Sequence, residues 1–224
     1  DLALHLSTIF TENRLKKYIE LRSMDTCGWD CLCSGPAFYT GMLYGNLDEV
    51  FEVISNWDNY SPTPLISLNK LNDKLKLNKI FYKDESKRFH LKSFKALGGA
   101  YAVEKIIKGN NKKVISTATA GNHGRSVAWG SQKNGLECKI YISEFVSESR
   151  AEVMRNFGAD VIRVKGNYDN SLNECIRQSN KNNWQIVQDV AWEDYKLVPK
   201  LTMAGYSVMM KETSEQIKNE KISH

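Results

Sequence analysis

The sequence predicts an α/β fold with a three-layer parallel sheet. Two observations carry this. Between residues 114 and 188, short β-branched runs alternate with segments of helical apolar spacing, the order that gives parallel strands joined by crossover helices. Turn and capping residues fall at the joints, as with Ser147 ahead of a helix and Gly158 after it. The 224 residues are 42% hydrophobic and 25% charged, an ordinary globular composition with enough chain for a sizeable core.

In chain order, Leu43, Leu47, Val50, Phe51 and Ile54 predict a helix over about 40–56. Tyr60-Ser61-Pro62-Thr63-Pro64-Leu65 is extended, because each proline pushes its predecessor out of the helical region. Leu68, Leu71 and Leu75 mark a short amphipathic helix with an apolar face, and 79–83 is a strand. Strand 114–118 turns through Gly121-Asn122-His123-Gly124 into a helix ending near Lys133, with Val127, Ala128 and Trp129 partly inward. Strand 139–142 precedes a helix capped by Ser147, with Glu148 in its first turn and Gly158 as its stop. Strand 160–164, a helix through Leu172 and Ile176, and strand 184–188 follow. From Pro199, acceptable at a helix start, a long helix runs to near Asn219 with Leu201, Met209 and Ile217 among its apolar positions.

Charge narrows the function. Net charge is +5, but the 31 basic and 26 acidic residues are interleaved, so no one-sided stripe marks a nucleic-acid partner. No apolar run approaches the roughly 20 residues of a membrane span. The opening Asp1-Leu2-Ala3-Leu4-His5-Leu6 lacks a basic leader. The expectation is a cytoplasmic chain with neither nucleic-acid nor membrane partner. Five cysteines are an odd count, which fits a disulfide framework poorly. Cys27, Cys31 and Cys33 cluster without zinc-site spacing or a nearby histidine, so no metal is expected. Cys138 and Cys175 read as small buried hydrophobes.

The chemistry centres on Lys95, in Ser93-Phe94-Lys95-Ala96-Leu97-Gly98-Gly99. A lysine that becomes a nucleophile must shed its charge, so it wants apolar neighbours and close backbone approach to a ligand. Phe94, Ala96 and Leu97 supply the neighbours, and the glycine pair is expected to leave room for the ligand. Downstream, Gly121-Asn122-His123-Gly124 joins strand to helix, a natural seat for an anion. These residues point to a lysine that carries a carbonyl cofactor. Each has a structural reading beside the chemical one: Asn122 as a helix N-cap, Asp189 as a strand-end aspartate accepting backbone bonds, Tyr168 with Asp169 as a cap and staple.

The blocks taken together resemble the fold-type-II pyridoxal-phosphate (PLP) enzymes, and within them the diaminopropionate ammonia-lyases, a likeness that implies a small α/β domain, 92–195, inserted into a larger one made of 56–91 and 196–224, with 1–55 as an unassigned N-terminal segment. The blocks are Tyr60-Ser61-Pro62-Thr63-Pro64-Leu65, Lys83-Asp84-Glu85-Ser86, the Lys95 segment, Thr117-Ala118-Thr119, Gly121-Asn122-His123-Gly124-Arg125, Val127-Ala128-Trp129, Asn167-Tyr168-Asp169, and Val187-Gln188-Asp189 with Ala191-Trp192-Glu193. The resemblance implies that Lys95 holds PLP as a Schiff base and serves as acid and base at the substrate α-carbon. It implies that Phe94 and Asn122 contact the cofactor, that Thr119, His123 and Tyr168 bind the substrate, and that Asp189 handles its amino groups or a proton. The implied reaction turns 2,3-diaminopropionate, a small amino-acid substrate, into pyruvate and ammonia, in a homodimer. The alternatives are a catalytically inactive truncated paralogue or fragment, and a serine/threonine dehydratase-like lyase.

The chain departs from the family in three places. Ala120 stands where the family has an aspartate, the base for the D-isomer, and a methyl group takes no proton. His90 and Lys92 stand where a glycine and a smaller residue are usual, and are expected to crowd that turn. The family's glycine-rich loop for the PLP phosphate has no counterpart here, which implies a chain truncated at its C-terminus.

Overall fold

The computed structural model describes residues 13–15, 19–21, 47–75 and 79–218. Contacts divide the chain into two units, Asp1–Gly45 and Asn46–His224. In the first, β1 (Asn13–Leu15) and β2 (Ile19–Leu21) pair antiparallel, with Arg14 opposite Glu20. The cluster at Cys27, Cys31 and Cys33 lies outside the described residues, as does the start of the helix expected from residue 40.

The second unit opens with α1 (Leu47–Ser55), which buries Val50 and Ile54 as its spacing predicts. The proline segment is extended and leads into β3 (Leu65–Ser67), which pairs antiparallel with β4 (Phe81–Lys83). Between them α2 (Asn69–Leu75) corrects one expectation: Leu71 and Leu75 are 39% and 44% exposed, and its buried residue is Asn72. The helical period is there, but the three-residue strands beside it bury too little surface to enclose the leucines.

A kinked 3-10 turn, Glu85–His90, follows. Phe89, His90 and Lys92 have φ of 45°, 61° and 58°, in the left-handed region that side chains with a Cβ rarely adopt. The positions where the family has glycine and a smaller residue are therefore positions where the backbone favours glycine. Burial holds the turn in place. Phe89 packs between Trp57 and Trp129, with ring centroids 5.6 and 5.0 Å away, and Arg88 is enclosed with only 1% of its surface exposed.

Next come α3 (Lys95–Lys108), β5 (Val114–Ala118), α4 (Asn122–Lys133), β6 (Glu137–Ser143), α5 (Glu148–Arg155), β7 (Ala159–Val164), α6 (Tyr168–Asn182), β8 (Gln185–Ile186) and α7 (Leu197–Lys218). Strands β5 to β8 form one parallel sheet in the order β7-β6-β5-β8. Ile140 and Ile142 enter a core with Val103 of α3, Val127 of α4 and Met154 of α5, while Tyr141 between them meets Cys175 of α6. Alternate residues of one strand thus bury on opposite faces, which makes the three layers the sequence predicts. Ser147 precedes α5 as expected, although its hydroxyl meets Ser149 at 3.2 Å rather than a helix N–H.

Helix α3 packs against both α4 and α7, and here a second expectation changes. A Cβ on Gly98 would stand 2.5 Å from the Thr202 carbonyl of α7, and one on Gly99 would stand 2.5 Å from Ser126 Oγ of α4. The glycine pair admits two helices, not a ligand, because α7 and α4 cross the helix that carries it at close range. Both cysteines in the described residues are buried, and burial pushes the Cys138 thiol up to about 12 and that of Cys175 to about 11. They are packing residues, as expected.

Candidate active site

Strand β5 is the first of its sheet, and the chain leaves it in two directions, to β6 on one side and later to β8 on the other. The carboxyl ends of β5 and β8 therefore flank a topological switch point, where open α/β sheets leave a crevice for ligands. Thr119 to His123 follow β5, Asp189 follows β8, and Lys95 begins α3. The fold brings three of the predicted residues together here. Lys95 Nζ lies 3.1 Å from Asp189 Oδ2, and His123 Nδ1 lies 3.7 Å from the same oxygen.

Lys95 sits in a half-open setting. Ala96 and Leu97 behind it are fully buried, its own side chain is 26% exposed, and its amine stands 5.8 and 5.4 Å from the rings of Phe94 and Tyr206. Ser93 accepts from the Lys95 backbone N–H at 3.2 Å and so helps start α3 at the lysine. The Phe94 ring rests edge-on against Tyr206, centroids 5.0 Å apart.

Asp189 has two influences on its carboxyl. Burial raises it, but the charge of Lys95, joined by that of His123 only when its ring is protonated, outweighs burial and holds it below the usual carboxylate range. It therefore stays ionised at neutral pH. For His123 burial dominates, pushing the imidazole below its ordinary range against the pull of Asp189. The neutral ring has one N–H, and Nε2 must carry it, because Nε2 lies 3.0 Å from the Val187 carbonyl, which only accepts. Nδ1 is left as a buried acceptor with no hydrogen-bond partner in the protein. A buried acceptor of this kind favours a donor brought in by a guest.

The other predicted residues lie around this trio. Asn122 starts α4, exposed, with its Oδ1 accepting from Arg125 at 3.2 Å, so its amide hydrogens are what it offers a ligand. Thr119 Oγ1 accepts from Gly121 N at 3.3 Å, closing the turn between β5 and α4. Tyr168 is the first residue of α6 and is 45% exposed. The cap of that helix is Asn167, in a reciprocal box with Asn170, so Tyr168 is spared the capping role. Ala120 is half-buried against the apolar core.

Sequence reasoning missed Gln188 as a site residue. Its side chain donates to Tyr168 Oη at 2.9 Å and bonds both backbone groups of Ala118, so it links Tyr168 to the end of β5. It stands inside the Val187-Gln188-Asp189 block, but that block alone assigns it no role; the tertiary pairing does.

Comparison with known families gives the class of protein to which this fold belongs. The family model for pyridoxal-phosphate dependent enzymes matches residues 57–224, and the chain belongs to that family. Among individual relatives, it is 36% identical over 177 residues to the diaminopropionate ammonia-lyase of Escherichia coli strain K12, covering 71% of this chain and 44% of that protein. The crystal structure of the Escherichia coli diaminopropionate ammonia-lyase in complex with an aminoacrylate-PLP azomethine reaction intermediate superposes with a TM-score of 0.75 at 32% identity, covering 81% of this chain and 51% of that one. The chain thus spans about half the length of the relatives it matches. The N-terminal segment, unassigned from sequence, has a separate likeness. Residues 1–73 match the glutamate-cysteine ligase family 2 model, and a stretch of 57 residues is 46% identical to chloroplastic glutamate–cysteine ligase A of Oryza sativa subsp. indica, covering 25% of this chain and 12% of that protein.

The residues present suit the family's cofactor at its carbonyl end: a lysine amine opens on the crevice, and the orphaned His123 Nδ1 gives the same crevice a place for a polar guest. The glycines of the lysine segment are taken up by helix packing, and the described residues supply no glycine-rich cradle for its phosphate.

Proposed function

We propose that the chain carries the lysine-bearing part of a PLP-dependent ammonia-lyase, which eliminates ammonia from 2,3-diaminopropionate to give pyruvate and ammonia. The observation that carries this reading is Lys95 Nζ, 3.1 Å from Asp189 in the switch-point crevice. Lys95 would hold the cofactor, with Phe94 and Asn122 beside it. When bound, pyridoxal phosphate supplies the electron sink that acidifies the substrate α-carbon. Lys95 takes and returns the proton at that carbon. Asp189, ionised, orients the lysine amine or the substrate's amino groups, or handles a proton there. The turn from Thr119 to His123 offers backbone N–H groups at the start of α4 to the substrate carboxylate, with Tyr168 at its flank.

Ala120 favours a one-handed enzyme. With a methyl group in place of the family's aspartate, Lys95 is the base that remains, and turnover of L-2,3-diaminopropionate is expected to exceed that of the D-isomer. The same residue supports a second reading, a non-catalytic paralogue. We further infer that 92–195 form the smaller domain, and that the chain works in the cytoplasm as a homodimer, on the family resemblance and the odd cysteine count. No helix among the described residues is long and apolar enough to cross a membrane.

The test is addition of pyridoxal phosphate to the purified chain. A visible absorption band that disappears in Lys95→Ala supports the proposal, and a band that survives the substitution refutes it. Pyruvate release from L-2,3-diaminopropionate rather than L-serine separates the ammonia-lyase from a serine/threonine dehydratase-like enzyme. A band without turnover on either substrate leaves the paralogue.

A further inference from the structure

Strand β8 was expected over 184–188 but spans only Gln185–Ile186. The backbone leaves β5 at Gln188, whose N–H donates instead to Tyr195 Oη at 2.8 Å. Its side chain continues the ladder in place of the backbone. Gln188 Oε1 accepts from Ala118 N at 3.0 Å, and Nε2 donates to Ala118 O at 2.9 Å. Thr117 Oγ1 also donates to Oε1, at 2.7 Å. The residue is 1% exposed.

These partners remove the usual ambiguity of an amide. A backbone N–H only donates and a carbonyl only accepts, so the oxygen and nitrogen of Gln188 cannot be exchanged. One Nε2 hydrogen is used on Ala118, and the other points to Tyr168 Oη at 2.9 Å. An amide NH₂ cannot accept, so the phenol oxygen is the acceptor in that bond and its own proton must go elsewhere.

We propose that Gln188 is a positioning residue: it fixes the Tyr168 hydroxyl as a hydrogen-bond donor, turned from the buried amide towards the crevice. The site then presents a donor at Tyr168 and selects a ligand with a lone pair there, disfavouring an ammonium group. Burial, and next the Asp189 carboxylate, push the Tyr168 phenol above its ordinary value, so the donor proton is kept through the neutral range. That the ligand is a substrate rests on the reading above, but the polarity of the hydroxyl does not.

The test needs no cofactor, so its failure is distinct from failure of the lyase reading. The full chain is labelled with ¹³Cζ-tyrosine, and Tyr168 is assigned by its loss in Tyr168→Phe. In Gln188→Glu the new carboxylate can only accept, so the Tyr168 proton swings inward; the Cζ resonance shifts and the phenol titrates at higher pH than in the native chain. Thr117→Val, which removes a bond to Oε1 but leaves Nε2 untouched, should leave Tyr168 where it was. An unchanged Tyr168 shift and titration in a folded Gln188→Glu chain overturns the proposal. If that variant does not fold, the native chain and Tyr168→Phe decide the matter through the Gln188 side-chain amide protons. One of the two must move when the hydroxyl is lost, and two unmoved protons overturn the proposal equally.

Discussion

Replacing Glu212 with glutamine should cost the chain substantial stability, although it exchanges a single heavy atom. Glu212 lies on α7, 1% exposed, and its carboxylate collects five bonds. Oε2 receives Arg88 Nη2 at 2.7 Å, Lys83 Nζ at 2.8 Å and Thr63 N at 3.3 Å. Oε1 receives Arg88 Nη1 at 2.7 Å and Tyr60 Oη at 2.9 Å. Whichever oxygen becomes NH₂ then faces at least two donors; the buried Arg88 keeps only Glu85 as an anionic partner, with Nε on Glu85 Oε2 at 2.8 Å, and Lys83 keeps the neutral Thr63 O and Gln216 Oε1. Removing one partner of a buried ion pair costs about 3–5 kcal/mol, against about 0–1 kcal/mol for a surface pair. Urea unfolding followed by tryptophan fluorescence should show a lower midpoint at unchanged slope. The pH dependence carries the sign. Burial raises the Glu212 carboxyl, but its bonds to Arg88 and Lys83 outweigh burial and hold it below the usual range. Its contribution is thus present above the unfolded carboxylate value of about 4.3 and is lost as pH falls through the lower folded value. The gap between the native chain and Glu212→Gln should be constant from neutral pH to about pH 5 and close in acid. A neutral-pH loss under about 1 kcal/mol, the scale of a surface pair, would refute the reasoning.

His90→Gly should stabilise the chain by about 1 kcal/mol, because φ of 61° strains any side chain with a Cβ and glycine relieves it; thermal unfolding of the two proteins checks this, and a lower midpoint would count against left-handed strain at that turn. On the proposed ammonia-lyase reading, Asp189→Asn keeps shape but removes the charge beside Lys95 Nζ, so turnover of L-2,3-diaminopropionate should fall about a hundredfold or more, the scale of lost proton-transfer assistance. Because Asp189 is held below the usual carboxylate range, the native pH–rate profile should show no limb from this group near neutrality. Turnover that is indifferent to Asp189→Asn would remove it from the mechanism.

Much of the molecule follows from the sequence by itself. The strand at Val114–Ala118, the turn through Asn122 and His123 and the helix after it are set by local patterning, in which β-branched runs, glycine and apolar spacing each act within a few residues. The candidate role of Lys95 is equally local in origin, since its block suggests it. What the sequence left open depends on groups far apart along the chain. That Gly98 and Gly99 receive Thr202 and Ser126 rather than a ligand is decided by helices about 30 to 100 residues away in sequence. That β8 stops at Ile186 is decided by a side chain that outcompetes the backbone for Ala118. That Asp189 meets Lys95 and His123 is decided by the strand order β7-β6-β5-β8, which sets the ends of β5 and β8 side by side. Local propensity and spacing act through neighbours in sequence, and they fixed which residues could do chemistry here. Which of them meet is a matter of burial and pairing between distant segments, and only the folded chain decides it.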